Sequence, residues 1–451
     1  MSNDPALSLA AHIHRTRFAD LPAATVTATK RDLLDTFGCL LGGTAEPGIA
    51  ELTNLALRWG GLEESSVVFL DRRLPAPQAA ALHGSMAHAL DYDDVLDHGG
   101  SIHPGASVLA ACMAVADLRP ETTGRDVILA VALGLDVSCR IALASTLDRG
   151  WHRTAVIGIF GAAAAAAKLL GLDESQTLNA LGIAYSQAAG NRQCILDGAL
   201  TKRLQAGQAA AAGVQSAILA QTGFTGARDI FAGRYGFFEL YQPGGYELAP
   251  LTSNLGIAFR GDELSFKPYP CGRPQHAALD AAIALHRQLG LDRDRPVTVE
   301  VTTGTNTWQD QFAAGVKRRP TQIVEAQFAL PFLIAAALAK GRVGIGEVAG
   351  IGDPAVLDLA ARIDGGPEPS WLPGRLRIAV RTESGRSATQ EAEQPSGSPE
   401  RPLSDAELAA KFRDCAANAS RPIAAATVDS AIAAILDLDN RTSAALVPLI
   451  V

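Results

Sequence analysis

The stretch AVIGIFGAAAAAAKLLGL, residues 155–172, most constrains what this chain can build. Alanine has the highest helix propensity of any residue and almost no side-chain bulk. A helix made of it gains its stability by lying very close to other helices. The same bias recurs along the chain, while only 5% of residues are aromatic, which favours helix packed on helix over a β-sandwich. At 451 residues, with 48% hydrophobic and 19% charged, the composition is globular and the length allows two domains.

Apolar residues recur at helical spacing in KRDLLDTFGCLLGG (30–43), which stops on Gly42-Gly43. The segments at 77–94, 105–118, 124–145, 155–172, 175–190 and 204–223 continue the series, so residues 5 to about 262 read as helical. After Lys267 the character changes. The helix AALDAAIALHRQLG gives way to the strand PVTVEVTTG, EAQFALPFLIAAALAKG is helical despite Pro331, and GRLRIAVRTESG is a strand entering a hairpin. Residues 384–402 are polar and rich in Ser, Pro and Gly, an exposed loop by composition, and two helices follow. The expected fold is mainly α: a large all-helical domain from 1–262 and 402–451, with a smaller inserted α/β domain at 263–401.

A net charge of −8 gives no basic footprint for nucleic acid or anionic lipid. The N-terminus lacks the basic-then-apolar order of a signal peptide, and the apolar run 155–167 is too short to span a bilayer. Six cysteines lie far apart without a CxxC, so a reducing cytoplasm is the expected setting.

The densest chemistry is HALDYDDVLDHGGSIHP, residues 88–104. Asp93, Asp94 and Asp97 form a DDxxD string that could hold magnesium against a diphosphate, but no second acidic motif accompanies it. The bland reading is a solvated helix terminus. The third is proton transfer, with His88, Asp91 and Asp94 sharing a helix face and Gly99-Gly100 delivering His103-Pro104 to the start of another helix. A helix start disfavours imidazolium, so a histidine there stays usable as a base. His152 precedes the alanine-rich helix in the same way. Lys202 and Arg203 open another helix, where a cation beside free amides suits a carboxylate. Lys267, Arg273 and His276 lie in the proline-stiffened SFKPYPCGRPQH, and Tyr269, Arg192, Gln193 and Gln208 either line the site or pack elsewhere.

Taken in order, HALDYDD…HPG, RGWHRTAVIGIFGAAAAAAKLLGL, LTKRLQAGQAAAAGVQSAILAQTGFTG, FKPYPCGRPQHAALDAAIAL, RRPTQIVEAQFALPF and RPLSDAELAAKF resemble the MmgE/PrpD family. That family includes 2-methylcitrate dehydratase, cis-aconitate decarboxylase and iminodisuccinate epimerase. The resemblance implies a cleft between a helical and an α/β domain, a homodimer, and catalysis of a small carboxylate without metal or organic cofactor. It carries over Asp91, His103, His152 and Lys202 as catalytic residues, with Lys267 and His276 as substrate-binding ones; Arg273, a cation in the same loop, is a further substrate-binding candidate from the residues themselves. It implies a dehydratase first, with an epimerase, a decarboxylase or a non-catalytic carboxylate binder as alternatives. Against the cis-aconitate decarboxylase pattern, Val95 replaces a threonine, Gly272 a second histidine and Val316 a tyrosine.

Overall fold

A computed structural model describes residues 4–98, 101–371, 375–442 and 445–450. The Gly99-Gly100 link lies outside the described residues.

Helix Thr201–Gln221 runs through the middle of the larger core and packs on helices Ala76–Ala87, Pro104–Ala116, Gly158–Leu169 and Glu174–Tyr185. Small residues set these distances. A Cβ added at Gly207 would sit 2.2 Å from the carbonyl oxygen of Ala81, and one at Gly84 would sit 2.9 Å from the Cα of Gly207. The two backbones therefore cross in near contact. Helix Gly124–Ala144 is long and apolar enough to cross a bilayer, yet 94% of its apolar window is buried inside the protein. Its Asp136 and Arg140, both fully buried, pair at 2.7 Å and satisfy each other there.

Residues 403–450 return to this core. Helix Asp405–Ala417, opened by a Ser404/Glu407 capping box, lies on helix Ala23–Gly43. Its Lys411 donates to Asp35 and to the backbone oxygen of Tyr92, each at 2.6 Å.

The second core is built from residues 271–392. Strands β1 (Pro296–Thr303), β2 (Ile363–Pro367), β3 (Leu376–Thr382) and β4 (Ser387–Ala392) form one sheet in the order β2-β1-β3-β4. Only the β1–β2 pair is parallel. Val299, Val301, Leu376, Ile378 and Val380 bury one face under helices His276–Leu289 and Leu330–Lys340. Pro331 is accommodated because it falls in the first turn of its helix, where no intrahelical N–H is lost.

The structure departs from the sequence reading in several places, among them the helix read over 325–341, which is broken between Ala326 and Leu330. The helix read through residue 94 ends at Ala87. The polar segment 384–402 contains the edge strand β4, whose residues alternate between exposed and half-buried. Strand β2, IDGGP, was not foreseen. Its Gly365 takes φ +156°, and a Cβ there would lie 1.8 Å from the carbonyl oxygen of Val301.

Candidate active site

The chain leaves helix Ala76–Ala87 through His88 and turns sharply at Asp91, which adopts φ +52°. That left-handed conformation is uncommon for a residue with a side chain. Lys267 Nζ stabilises it by donating to the Asp91 backbone oxygen at 2.9 Å and to Oδ1 at 2.5 Å. Lys202 Nζ lies 3.3 Å from Oδ2. Burial works against the Asp91 charge, but the two ammonium groups outweigh it and hold the carboxyl well below the usual range.

His88 is fully enclosed by this turn. Its Nδ1 meets Asp93 Oδ2 at 2.7 Å and its Nε2 meets Lys202 Nζ at 2.9 Å. A carboxylate only accepts, so Nδ1 carries the hydrogen and Nε2 receives one from the lysine. Burial lowers the Lys202 pKa against the pull of Asp91.

His103 caps helix Pro104–Ala116, and its Nδ1 lies 2.6 Å from the backbone oxygen of Asp94. A carbonyl oxygen also only accepts, so the free lone pair of His103 is on Nε2. Burial and the nearby Lys267 depress its pKa to about 3, which leaves it neutral. Asp94 is structural as well, with both oxygens accepting from the Gly105 amide. His152 caps helix Arg153–Val156, just ahead of the alanine-rich helix, and its Nδ1 lies 3.1 Å from Gln205 Oε1. Burial and the neighbouring His88 hold it well below an ordinary histidine. The imidazole of His88 is 5.2 Å from that of His103 and 5.4 Å from that of His152, centre to centre.

A cavity of about 230 Å³ opens onto this cluster between the two cores. Asp91, His103, His152 and Lys202 line it from the helical side. Gly272, Arg273, Gln311 and Phe328 line it from the other. Arg153 and Arg192 add positive charge to the wall.

Not every residue expected at the site faces the cavity. Lys267 is fully buried behind Asp91 and is not part of the lining. His276 packs beneath it, bonded to the backbone oxygen of Cys271 at 3.2 Å. Arg273 reaches the cavity, but its Nε and Nη2 grip Asp97 at 2.8 and 2.7 Å. Arg203 is turned away to Glu46 and the Pro47 carbonyl. Tyr269 bonds Asp280 instead. Asp93 and Asp94 are fully buried, so the solvated-terminus reading fails for both. Phe328 is a participant that sequence reasoning did not name, and His88 and Asp93, named there in the acidic stretch, were not among the expected site residues. For His88 the available signal was its place beside Asp91, since only the fold brings Lys202 to it.

Among the described residues, Asp91, Asp93 and His103 place ligand-type atoms within 4.8 Å of one another. Two ammonium groups already sit on the Asp91 carboxylate, and they repel a cation from the space a metal would take.

The sequence profile of the MmgE/PrpD N-terminal domain matches residues 7–248, and that of the MmgE/PrpD C-terminal domain matches residues 269–438. The chain belongs to the MmgE/PrpD family. Among curated relatives, human cis-aconitate decarboxylase is 27% identical over 96% of this chain and 91% of its own length. The cis-aconitate decarboxylase-like protein oryM of Aspergillus oryzae is 28% identical over 89% of this chain and 88% of its own. Cis-aconitate decarboxylase of Aspergillus terreus is 26% identical over 88% of this chain and 86% of its own.

The structure gives physical content to the three departures from the cis-aconitate decarboxylase pattern. Val95 is fully buried and pairs by its backbone with Ser265, away from the cavity lining. Val316 is exposed and also outside the lining. Gly272 does line it, and a Cβ there would meet the Phe328 ring at 2.8 Å. Phe328 thus supplies an apolar wall in the space that a side chain at 272 would enter.

Proposed function

We propose that this protein is a lyase that removes water from a small hydroxylated di- or tricarboxylate, without metal or organic cofactor. His103 Nε2 takes a proton from the carbon next to a carboxylate. Negative charge builds on that carboxylate, where Lys202 and the arginines of the wall stabilise it; one preorganised donor of this kind is typically worth about 3–4 kcal/mol. Lys202 then gives a proton to the leaving hydroxyl, the carbon–oxygen bond breaks, and water departs from the new carbon–carbon double bond. His152, held by Gln205, is a second neutral imidazole on the same cavity. Asp91 and Lys267 hold the lysine and the turn in place.

One observation carries this reading. A neutral imidazole with a free Nε2 and a buried lysine whose pKa is lowered by burial line the same cavity. Those are the base and the acid that an elimination requires. The names of the relatives favour decarboxylation as a second reading, with Lys202 protonating the carbon that loses carbon dioxide.

Proton NMR in D₂O with EDTA present tests both. The panel is 2-methylcitrate, citrate, cis-aconitate, malate and iminodisuccinate. A new olefinic signal that His103→Gln reduces by about 10²–10⁴-fold in rate supports the dehydratase. Carbon dioxide release from cis-aconitate replaces it with the decarboxylase, and deuterium uptake or inversion without an olefin replaces it with an epimerase. Undiminished turnover by His103→Gln overturns the assigned base.

A further inference from the structure

His88 does not line the cavity and is only 1% exposed, yet it touches the group assigned as the acid. Its surroundings are unusually complete. Asp93 stands on one ring nitrogen at 2.7 Å and Lys202 on the other at 2.9 Å. Asp91 faces it across the turn, and the rings of His103 and His152 pack on its two sides.

An ammonium has three hydrogens. On Lys202, one is taken by His88 Nε2, while Asp91 Oδ2 at 3.3 Å holds another side of the ammonium as an ion pair. The Phe328 ring, 5.8 Å from Nζ, closes a further direction. A hydrogen not taken by His88 is left for the cavity that Lys202 lines. This arrangement exists only while His88 Nε2 is a lone pair, and Asp93 enforces that by accepting from Nδ1. Burial, partly offset by Asp93, keeps the ring below its ordinary pKa and therefore neutral. Asp93 has a second part to play. Its Oδ1 has no hydrogen-bond partner and lies 4.0 Å from Nδ1 of His103, so one carboxylate borders both the base and the support of the acid.

We propose that the Asp93–His88 pair is the positioning device for Lys202, directing one ammonium hydrogen at the substrate and stabilising the charged form of the lysine. This rests on the elimination chemistry proposed above for Lys202. It makes His88 a positioning residue, acting through Lys202 without touching substrate.

The acceptor on Lys202 favours its ammonium, so removing it lowers the pH at which the amine appears. In His88→Leu, kcat should fall by about 100-fold with KM changed little, and the alkaline limb of the rate profile should move down by about one pH unit. His88→Gln, which keeps an acceptor oxygen, should hold the limb near its original position. A second readout needs no substrate. Cyanate carbamylates neutral amines, and mass spectrometry of the Lys202 peptide across pH gives the midpoint of its reaction. That midpoint should also fall by about one unit in His88→Leu and stay in place in His88→Gln. Should His88→Leu fail to fold, Asp93→Asn removes the same support and should shift the midpoint the same way. An unshifted cyanate midpoint overturns the proposal. A shifted midpoint with no turnover of any carboxylate upholds the device and overturns the elimination reading alone.

Discussion

Lys267 Nζ bonds both the side chain and the backbone of Asp91, at 2.5 and 2.9 Å, and so holds closed the left-handed corner at Asp91. The lysine was expected to meet a substrate carboxylate. It meets a carboxylate of the protein, and its contribution is to the shape of the cavity wall. Lys267→Met would leave a buried Asp91 charge with only Lys202 beside it. Breaking such a pair costs about 3–5 kcal/mol, and the corner should relax with it. Urea unfolding should show that loss, and adding Asp91→Asn should recover part of it while leaving the protein inactive.

At position 272 the backbone is ordinary, with φ −58°, so what opposes a side chain there is the Phe328 ring at 2.8 Å, with Gln275 Oε1 further off at 3.3 Å. Gly272→Ala should push the ring inward and lose about 1–3 kcal/mol of stability or binding. Thermal unfolding and KM would both report it. Gly272→Ala combined with Phe328→Leu should return both toward the parent values, and a purely additive double variant would refute the contact.

His83 is fully buried, its Nε2 accepts from the Val68 amide, and burial lowers its pKa to about 4. In the unfolded chain it titrates near 6.5. The unfolded state therefore binds the extra proton first. The stability that the neutral ring contributes is complete above pH 6.5 and drains away as pH falls toward 4. About 2 kcal/mol should be lost between pH 8 and pH 5 from this residue. His83→Gln keeps an acceptor for Val68 without a titrating group, so its urea midpoint should fall less over that interval.

Because ammonium groups occupy both oxygens of Asp91, prolonged EDTA treatment should leave turnover unchanged. Reactivation by added Mg²⁺ after chelation would restore a role for the acidic string at residues 93–97.

Much of the helical architecture was legible because alanine-rich segments have one way to bury themselves, and their boundaries carry capping residues such as Ser404 and Glu407. His103, His152 and Lys202 were legible for a related reason, since each stands at the start of a helix. The corner at Asp91 was not. Local spacing continues the helix through it, and the interaction that ends the helix comes from Lys267, 176 residues away. The same distance problem hid the roles of His88 and Asp93, whose partner Lys202 is 114 residues from His88. Strand β2 was obscured by its two glycines and a proline, although Gly365 is required by the close approach of Val301. Strand β4 was obscured because an edge strand with one wet face can be almost wholly polar.

The contact between Lys411 and the backbone oxygen of Tyr92 spans 319 residues and lands next to Asp91. A ribosome releases the chain from its N-terminus, so every residue of the cavity is in the emerging polypeptide before the lysine that braces its wall. Until the segment carrying Lys411 has emerged and folded back, the residues of the cavity stand in an unbraced frame. Losing Lys411, by truncation or substitution, therefore acts on the frame of the cavity, far in sequence from the groups it would silence.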